Sequence, residues 1–105
     1  MLSKLEKKYG EDFSWYMLEK YNKQKNAIEN RLGKELVPEH DLYQIKDNLF
    51  AIAQNERNDD ILFSDGSRFY VIHLTWSEGN KEYPQYIVVE PSELLKYLED
   101  DYLQG

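Results

Sequence analysis

Two β-rich runs joined by Asp65-Gly66 dominate the hydrophobic pattern between residues 61 and 76. An Asp-Gly pair between apolar runs predicts a hairpin, because a type I′ turn needs φ > 0 at both central residues and Gly adopts such a φ without steric cost. A two-residue loop would place Leu62 opposite Phe69. The pattern therefore predicts a central hairpin over this stretch.

Both faces of this predicted hairpin are largely apolar. Because side chains alternate along a strand, one face carries Ile61, Phe63, Tyr70, Ile72, Leu74 and Trp76, and the other carries Asp60, Leu62, Phe69, Val71, His73 and Thr75. A strand in which apolar and polar residues do not alternate cleanly is typically a central strand that is covered on both faces. We therefore expect His73 to be shielded from solvent.

The N-terminal third of the chain has a helical period. Its apolar and long side chains recur at Phe13, Met17, Tyr21, Gln24, Ile28 and Leu32. This spacing predicts a long amphipathic helix from about residue 12 to Leu32, after a shorter helical segment that ends near Gly10. Gly33 would then end the long helix in the left-handed conformation that favours Gly.

Residues 42 to 54 fit either a helix or a strand. Leu42, Ile45, Leu49 and Ile52 have helical spacing, whereas residues 49 to 53 form a short apolar run. We favour a strand from about Leu49, because the polar residues 55 to 58 then make a turn into the hairpin.

The C-terminal part predicts one more strand and one helix. The run from Tyr86 to Glu90 has β-branched residues at its centre, and Pro91-Ser92-Glu93 is a typical helix start. The whole pattern predicts a single α+β domain over residues 1–105. It comprises an N-terminal helical segment, an antiparallel meander of about four strands, and a C-terminal helix packed on the sheet.

Charge is distributed unevenly along the chain. The net charge is −7, and residues 35–105 hold fifteen of the twenty Asp and Glu residues but only five of the thirteen Lys and Arg residues. An acidic surface disfavours nucleic acid and anionic lipid and favours a basic protein partner. The candidate interaction residues are Glu78, Glu82, Glu99, Asp100 and Asp101, and the last turn of the C-terminal helix is expected to fray.

Cellular location is predicted from two absences in the sequence. The chain has no Cys, which fits a reducing compartment. It has no apolar run near the ~18 to 20 residues that span a bilayer. We expect a cytoplasmic protein without a membrane segment.

The residues that could carry chemistry are His73, Asp60 and His40. The predicted register makes Asp60 a diagonal neighbour of His73, and a carboxylate oriented on an imidazole is half of a general-base arrangement. The chain offers no Cys and no Ser in a nucleophile elbow, and its His residues lack metal-binding spacing. No metal or cofactor is expected. The alternative is a structural His73 whose ring nitrogens are satisfied by Asp60 or a backbone carbonyl.

The stretch from residue 40 to residue 84 contains four short motifs. They are H-D-L at residues 40–42, D-D-I-L-F at 59–63, the D-G turn, and V-I-H-L-T-W at 71–76 followed by a Tyr-Pro. In these motifs the stretch resembles a family of small uncharacterised bacterial proteins. The resemblance supports the predicted order of the strands. Because the family has no assigned activity, the resemblance implies no function.

Three features of the sequence together favour a non-enzymatic function. They are the net negative charge, the nine Tyr residues and the lack of a complete catalytic motif. We expect a small acidic intracellular protein that binds and regulates or neutralises a basic protein, as immunity-type inhibitors do. The alternative is a ligand-binding protein or hydrolase with its site at His73 and Asp60.

Overall fold

A computed structural model describes residues 3–10, 13–77 and 79–104. The chain forms an α+β fold with a five-stranded antiparallel sheet. Its elements are α1 (Ser3–Tyr9), β1 (Trp15–Met17), α2 (Asn22–Glu35), a 3₁₀ helix (Tyr43–Asn48), β2 (Phe50–Asn55), β3 (Ile61–Ser64), β4 (Phe69–His73), β5 (Gln85–Val89), a 3₁₀ turn (Pro91–Glu93) and α3 (Leu94–Gln104).

The strands follow one another in the order β1-β2-β3-β4-β5, and every neighbouring pair is antiparallel. The predicted meander is confirmed, as is the preference for a strand in the ambiguous segment, since β2 begins at Phe50. The sheet has one strand more than predicted. That strand, β1, comes from the region that had been assigned to a long helix.

The prediction of a helix from about residue 12 to Leu32 was wrong, and residue 12 itself lies outside the described residues. Aromatic residues crowd the segment from Phe13 to Tyr16, and such side chains favour a pleated, half-buried surface over a helix. Only the second half of the segment with helical spacing forms a helix, because α2 begins at Asn22.

Gly33 does not end α2. The helix continues to Glu35, and the N–H of Leu36 still donates to the carbonyl oxygen of Leu32 at 3.0 Å. The extra turn buries Glu35 completely. Tertiary packing therefore overrides the local stop signal.

The central hairpin has a four-residue loop instead of the predicted two-residue loop. Ser64 pairs with Phe69, and the carboxylate of Asp65 accepts hydrogen bonds from the N–H groups of Ser67 and Arg68 at 2.8 and 2.9 Å. These backbone donors, together with the Tyr70 hydroxyl, lower the pKa of Asp65 to about 2. The carboxylate thus organises a wider loop, as Asp side chains commonly do in turns.

The register of β3 and β4 is shifted by two residues from the predicted one, so Leu62 faces Val71 and not Phe69. A shift of two keeps each side chain on its predicted face, because the side-chain period of a strand is two. One face packs against α2 through residues that include Ile61, Phe63, Tyr70, Ile72 and Leu74. The other face packs against α1 and α3 through residues that include Leu62, Val71, Leu94 and Leu98.

Two residues at the end of β4 depart from the predicted burial. Trp76 was assigned to a core face, but it is 60% exposed and has φ +58°. His73 was expected to be shielded, but its side chain is 61% exposed. Both expectations were wrong, since His73 is the last residue of β4 and Trp76 lies beyond the strand, where the alternation of strand side chains no longer applies.

The end of α3 is held by side chains from the sheet. Asp101 accepts hydrogen bonds from Trp15 Nε1 at 3.1 Å and from Asn55 Nδ2 at 3.0 Å. The guanidinium of Arg57 donates to the carbonyl oxygen of Tyr102 at 3.0 Å. The helix continues to Gln104, so the expectation of a frayed last turn was wrong. The predicted helix start at Pro91 is confirmed.

Replacing Gly66 by Val should lower the free energy of unfolding by about 1 to 3 kcal/mol, because Gly66 has φ +97° and a β-branched residue is strained there. Gly33→Ala is the matched control. Gly33 lies exposed inside α2 with room for a methyl group, so this change should raise stability by about 0.5 to 1 kcal/mol. Urea unfolding measures both changes, and equal midpoints for Gly66→Val and the wild type would contradict the loop geometry.

Candidate functional site

A groove of about 520 Å³ lies beside β5, between the ends of β3 and β4, the segment before the 3₁₀ helix, and α3. We call it the His73 groove. Its lining includes His73, Asp60, His40, Asp41, Glu82 and Tyr97. The three residues singled out from the sequence for chemistry therefore line one groove, together with one of the predicted interaction residues.

His73 and Asp60 are in direct contact. The distance from His73 Nδ1 to Asp60 Oδ1 is 2.7 Å. Because Ile61 pairs with Ile72, the next step of the same register sets Asp60 directly opposite His73 and not diagonal to it. Asp59 has φ +61°, and this turn residue leads the chain into β3, with Asp60 directly before the strand.

This contact determines what the imidazole of His73 can do. An ionised carboxylate only accepts hydrogen bonds, so Nδ1 carries the proton and Nε2 is left as an acceptor in the neutral ring. Nε2 could take a proton from a bound molecule or accept a hydrogen bond from it. The groove thus contains an oriented imidazole, which is half of a general-base arrangement.

Thr75 does not supply the missing half. Its hydroxyl donates to Glu35 Oε1 at 2.7 Å, and neither Ser, Thr nor Cys is among the residues that line the His73 groove. A hydrolytic reaction in the groove would need water as the nucleophile.

His40 is a structural residue, although it borders the groove. Its ring is 4% exposed. Nδ1 accepts a hydrogen bond from the N–H of Leu42 at 3.0 Å, and Nε2 lies 2.8 Å from the carbonyl oxygen of Pro84. An Nε2–H tautomer satisfies both contacts. His40 therefore ties the segment before the 3₁₀ helix to the start of β5.

Glu35 is the residue that the sequence analysis missed. Its carboxylate is fully buried and accepts hydrogen bonds from the Thr75 N–H and hydroxyl at 2.7 Å, from the Trp76 N–H at 3.0 Å and from Arg31 Nε at 2.7 Å. Burial acts to raise the pKa of Glu35, but these hydrogen bonds together lower it below its usual value. The i,i+4 spacing of Arg31 and Glu35 was the available signal.

The loop that follows β4 is packed against the same glutamate. A Cβ atom at Gly79 would overlap the carbonyl oxygen of Glu35, so only Gly fits there. Asn80 Oδ1 then accepts hydrogen bonds from the N–H groups of Glu82 and Tyr83 at 2.8 and 3.0 Å. Glu35 thus fixes the loop that places Glu82 at the groove.

A second hollow of about 380 Å³ adjoins the His73 groove and shares Ile87 and Tyr97 with it. We call the two together the acidic channel. Its charged lining consists of Asp41, Asp60, Glu82, Glu90, Glu93 and Asp100 against Lys81 and Lys96. Burial raises the pKa of Tyr97, and the carboxylates of Asp101 and Asp60 raise it further. The channel therefore presents a negative field beside β5.

The predicted interaction residues divide into two groups. Glu82 and Asp100 are exposed and line the acidic channel, and their carboxylates have no hydrogen-bond partner within the described part of the chain. Glu99 instead accepts hydrogen bonds from Lys8 Nζ and the Tyr9 hydroxyl, both at 2.7 Å, and Asp101 is held by Trp15 and Asn55. Glu78 lies outside the described residues.

Comparison of the chain with protein-family models, with curated proteins and with solved structures finds no match. The resemblance to a small bacterial family therefore stays a prediction. Within residues 3–10, 13–77 and 79–104, no helix has the length and apolar character needed to cross a membrane, and no three His, Asp or Glu side chains are grouped as metal ligands would be.

Replacing Asp60 by Ala should change the tautomer of His73. In the wild type the carboxylate holds the proton on Nδ1, and without it the Nε2–H tautomer should predominate, as it does for an imidazole that lacks such a partner. Ring ¹⁵N chemical shifts measured above neutral pH distinguish the two forms. Asp41→Ala is the matched control, because Asp41 borders the same groove without contacting His73. Identical His73 ring shifts in wild type and Asp60→Ala would contradict the contact.

Proposed function

We propose that this protein is an interaction module that binds a basic protein through the acidic channel, as an inhibitor or regulator of that partner. The observation that carries the proposal is the lining of the channel, where six carboxylates face two lysines. A channel with a net negative charge concentrates positively charged partners and accelerates their encounter.

The aromatic and apolar residues of the channel support the same function. Tyr97 is half-buried, and Ile87 is 46% exposed. Tyr side chains are enriched at protein interfaces because the ring is apolar while the hydroxyl stays hydrated. A Lys or Arg side chain that enters the channel would meet carboxylates at its charged end and apolar surface along its stem.

The second candidate function is a hydrolase or ligand-binding protein, and the observation that favours it is the oriented imidazole of His73. The groove offers an imidazole base but neither a Ser, Thr nor Cys nucleophile among its lining residues. Hydrolysis of a p-nitrophenyl ester that disappears in His73→Ala, with the fold retained, would decide for this candidate.

Charge reversal tests the first candidate. Glu82→Lys/Asp100→Lys should abolish capture of a basic protein from the native cell, because both residues lie in the acidic channel. Glu19→Lys/Asp47→Lys is the matched control, since it changes the net charge by the same amount at exposed residues outside the channel. The control should still capture the partner.

The association rate of the captured protein gives a second readout. It should fall as salt rises, because the field is screened over about 8 Å at physiological ionic strength. Equal capture by both double variants, or an association rate that salt does not change, would contradict the proposal.

A further inference from the structure

The outer edge of β5 has the features of a docking edge for another strand. β5 pairs with β4 along one side, and no other strand pairs with it in the described residues. Half of the main-chain N–H and C=O groups of an edge strand point away from its neighbour. Those groups of β5 are available to a strand from another molecule.

Edge strands are usually protected against such pairing by charged residues, a proline, a bulge or short length. The opposite edge of the sheet is protected because its strand, β1, is short and has only three residues. β5 has five residues without a charge, and its pairing with β4 is free of irregularity. Among the described strands, the edge of β5 is the one without these protections.

The side chains of β5 are also unusually exposed for apolar residues. Ile87 and Val88 are each 46% exposed, and Tyr83, just before the strand, is 42% exposed. Ile87 and Val88 are adjacent, so they point to opposite faces of the sheet. A strand added at this edge would cover part of both side chains.

Charge decides between the possible occupants of this edge. The acidic channel lies directly beside β5 and shares Ile87, Val88 and Val89 with it. Pairing of β5 with β5 of a second copy would bring two channels of the same negative sign together, which is unfavourable. An extended segment with basic residues at alternate positions would instead direct those residues to the channel.

We propose that a basic segment of the partner adds to the sheet as a sixth strand along β5, with alternate Lys or Arg side chains in the acidic channel. This inference rests on the proposed function and specifies how the partner is recognised. Main-chain hydrogen bonds to β5 provide affinity, and the channel selects for alternate basic side chains.

An acetylated and amidated peptide of alternating Lys and Val is the probe. In ¹H–¹⁵N spectra, its addition should shift the amide signals of residues 85–89 and slow their hydrogen exchange. The same peptide with alternate backbone nitrogens methylated keeps its charges and side chains but loses hydrogen-bond donors. Its affinity should fall about tenfold or more, because several main-chain hydrogen bonds are lost.

Substitutions on the protein give an independent readout. Ile87→Lys and Val88→Lys should each weaken peptide binding, because a lysine on an edge strand repels a basic strand and is a natural protection against pairing. Leu103→Lys is the matched control, since Leu103 is 62% exposed and lies outside the channel. It should bind the peptide as the wild type does.

Four results would overturn strand addition. The first is absence of peptide binding, and the second is amide shifts outside β5 and the channel. The third is concentration-dependent dimerisation of the free protein that Ile87→Lys abolishes, because a second copy would then occupy the edge. Equal affinity for the methylated peptide would also overturn it, but would leave binding in the acidic channel, and with it the proposed function, in place.

Discussion

The fold around the candidate site depends on one buried carboxylate. Glu35 ends α2 with its side chain fully buried, and Thr75, Trp76 and Arg31 supply the four hydrogen bonds that compensate for its lost hydration. Loss of a partner from such a buried ionic group is costly, in the range of about 3 to 5 kcal/mol. The contact joins the helix to the point where the chain leaves β4.

A series of contacts connects Glu35 to the acidic channel. Gly79 packs against the Glu35 carbonyl group, and the Asn80 side chain closes the turn that leads to Tyr83 and Pro84. His40 then holds the carbonyl oxygen of Pro84 at 2.8 Å. These contacts set where Glu82 and the first residue of β5 lie. One side of the channel is therefore built by polar contacts within the chain, whereas the carboxylates of Glu82 and Asp100 face solvent.

Much of the architecture could be predicted from the sequence. The order of the strands, the two-sided cover of the central hairpin and the start of α3 follow from local periodicity and turn chemistry. The shift of the hairpin register by two residues left the face assignments within β3 and β4 intact. β1 could not be recognised, because Met17 and the preceding Phe13 have helical spacing to later apolar residues. Only the pairing with β2, which is distant in sequence, determines that this segment is a strand.

The site was predicted in part. Asp60 and His73 were paired correctly, because opposed or diagonal positions across a hairpin are close in either register. The exposure of His73 could not be predicted, since it depends on where β4 ends. The intramolecular contacts of Glu99 and Asp101 could not be predicted for a related reason: their partners, Lys8, Tyr9, Trp15 and Asn55, are far away in the sequence. Charge alone does not distinguish a carboxylate that contacts its own chain from one that faces a partner.

We conclude that packing of the loop after β4 against the main chain of Glu35 sets the shape of the acidic channel. Gly79→Ala is the direct test, because the added methyl group must displace this loop from the Glu35 carbonyl oxygen. The measurement is a ¹H–¹⁵N chemical-shift comparison with the wild type, with Gly33→Ala as the matched control. The account predicts amide shift changes over residues 80–86 and at Thr75 and Trp76, with β2 and β3 unchanged. Changes confined to the immediate neighbours of residue 79 would contradict it.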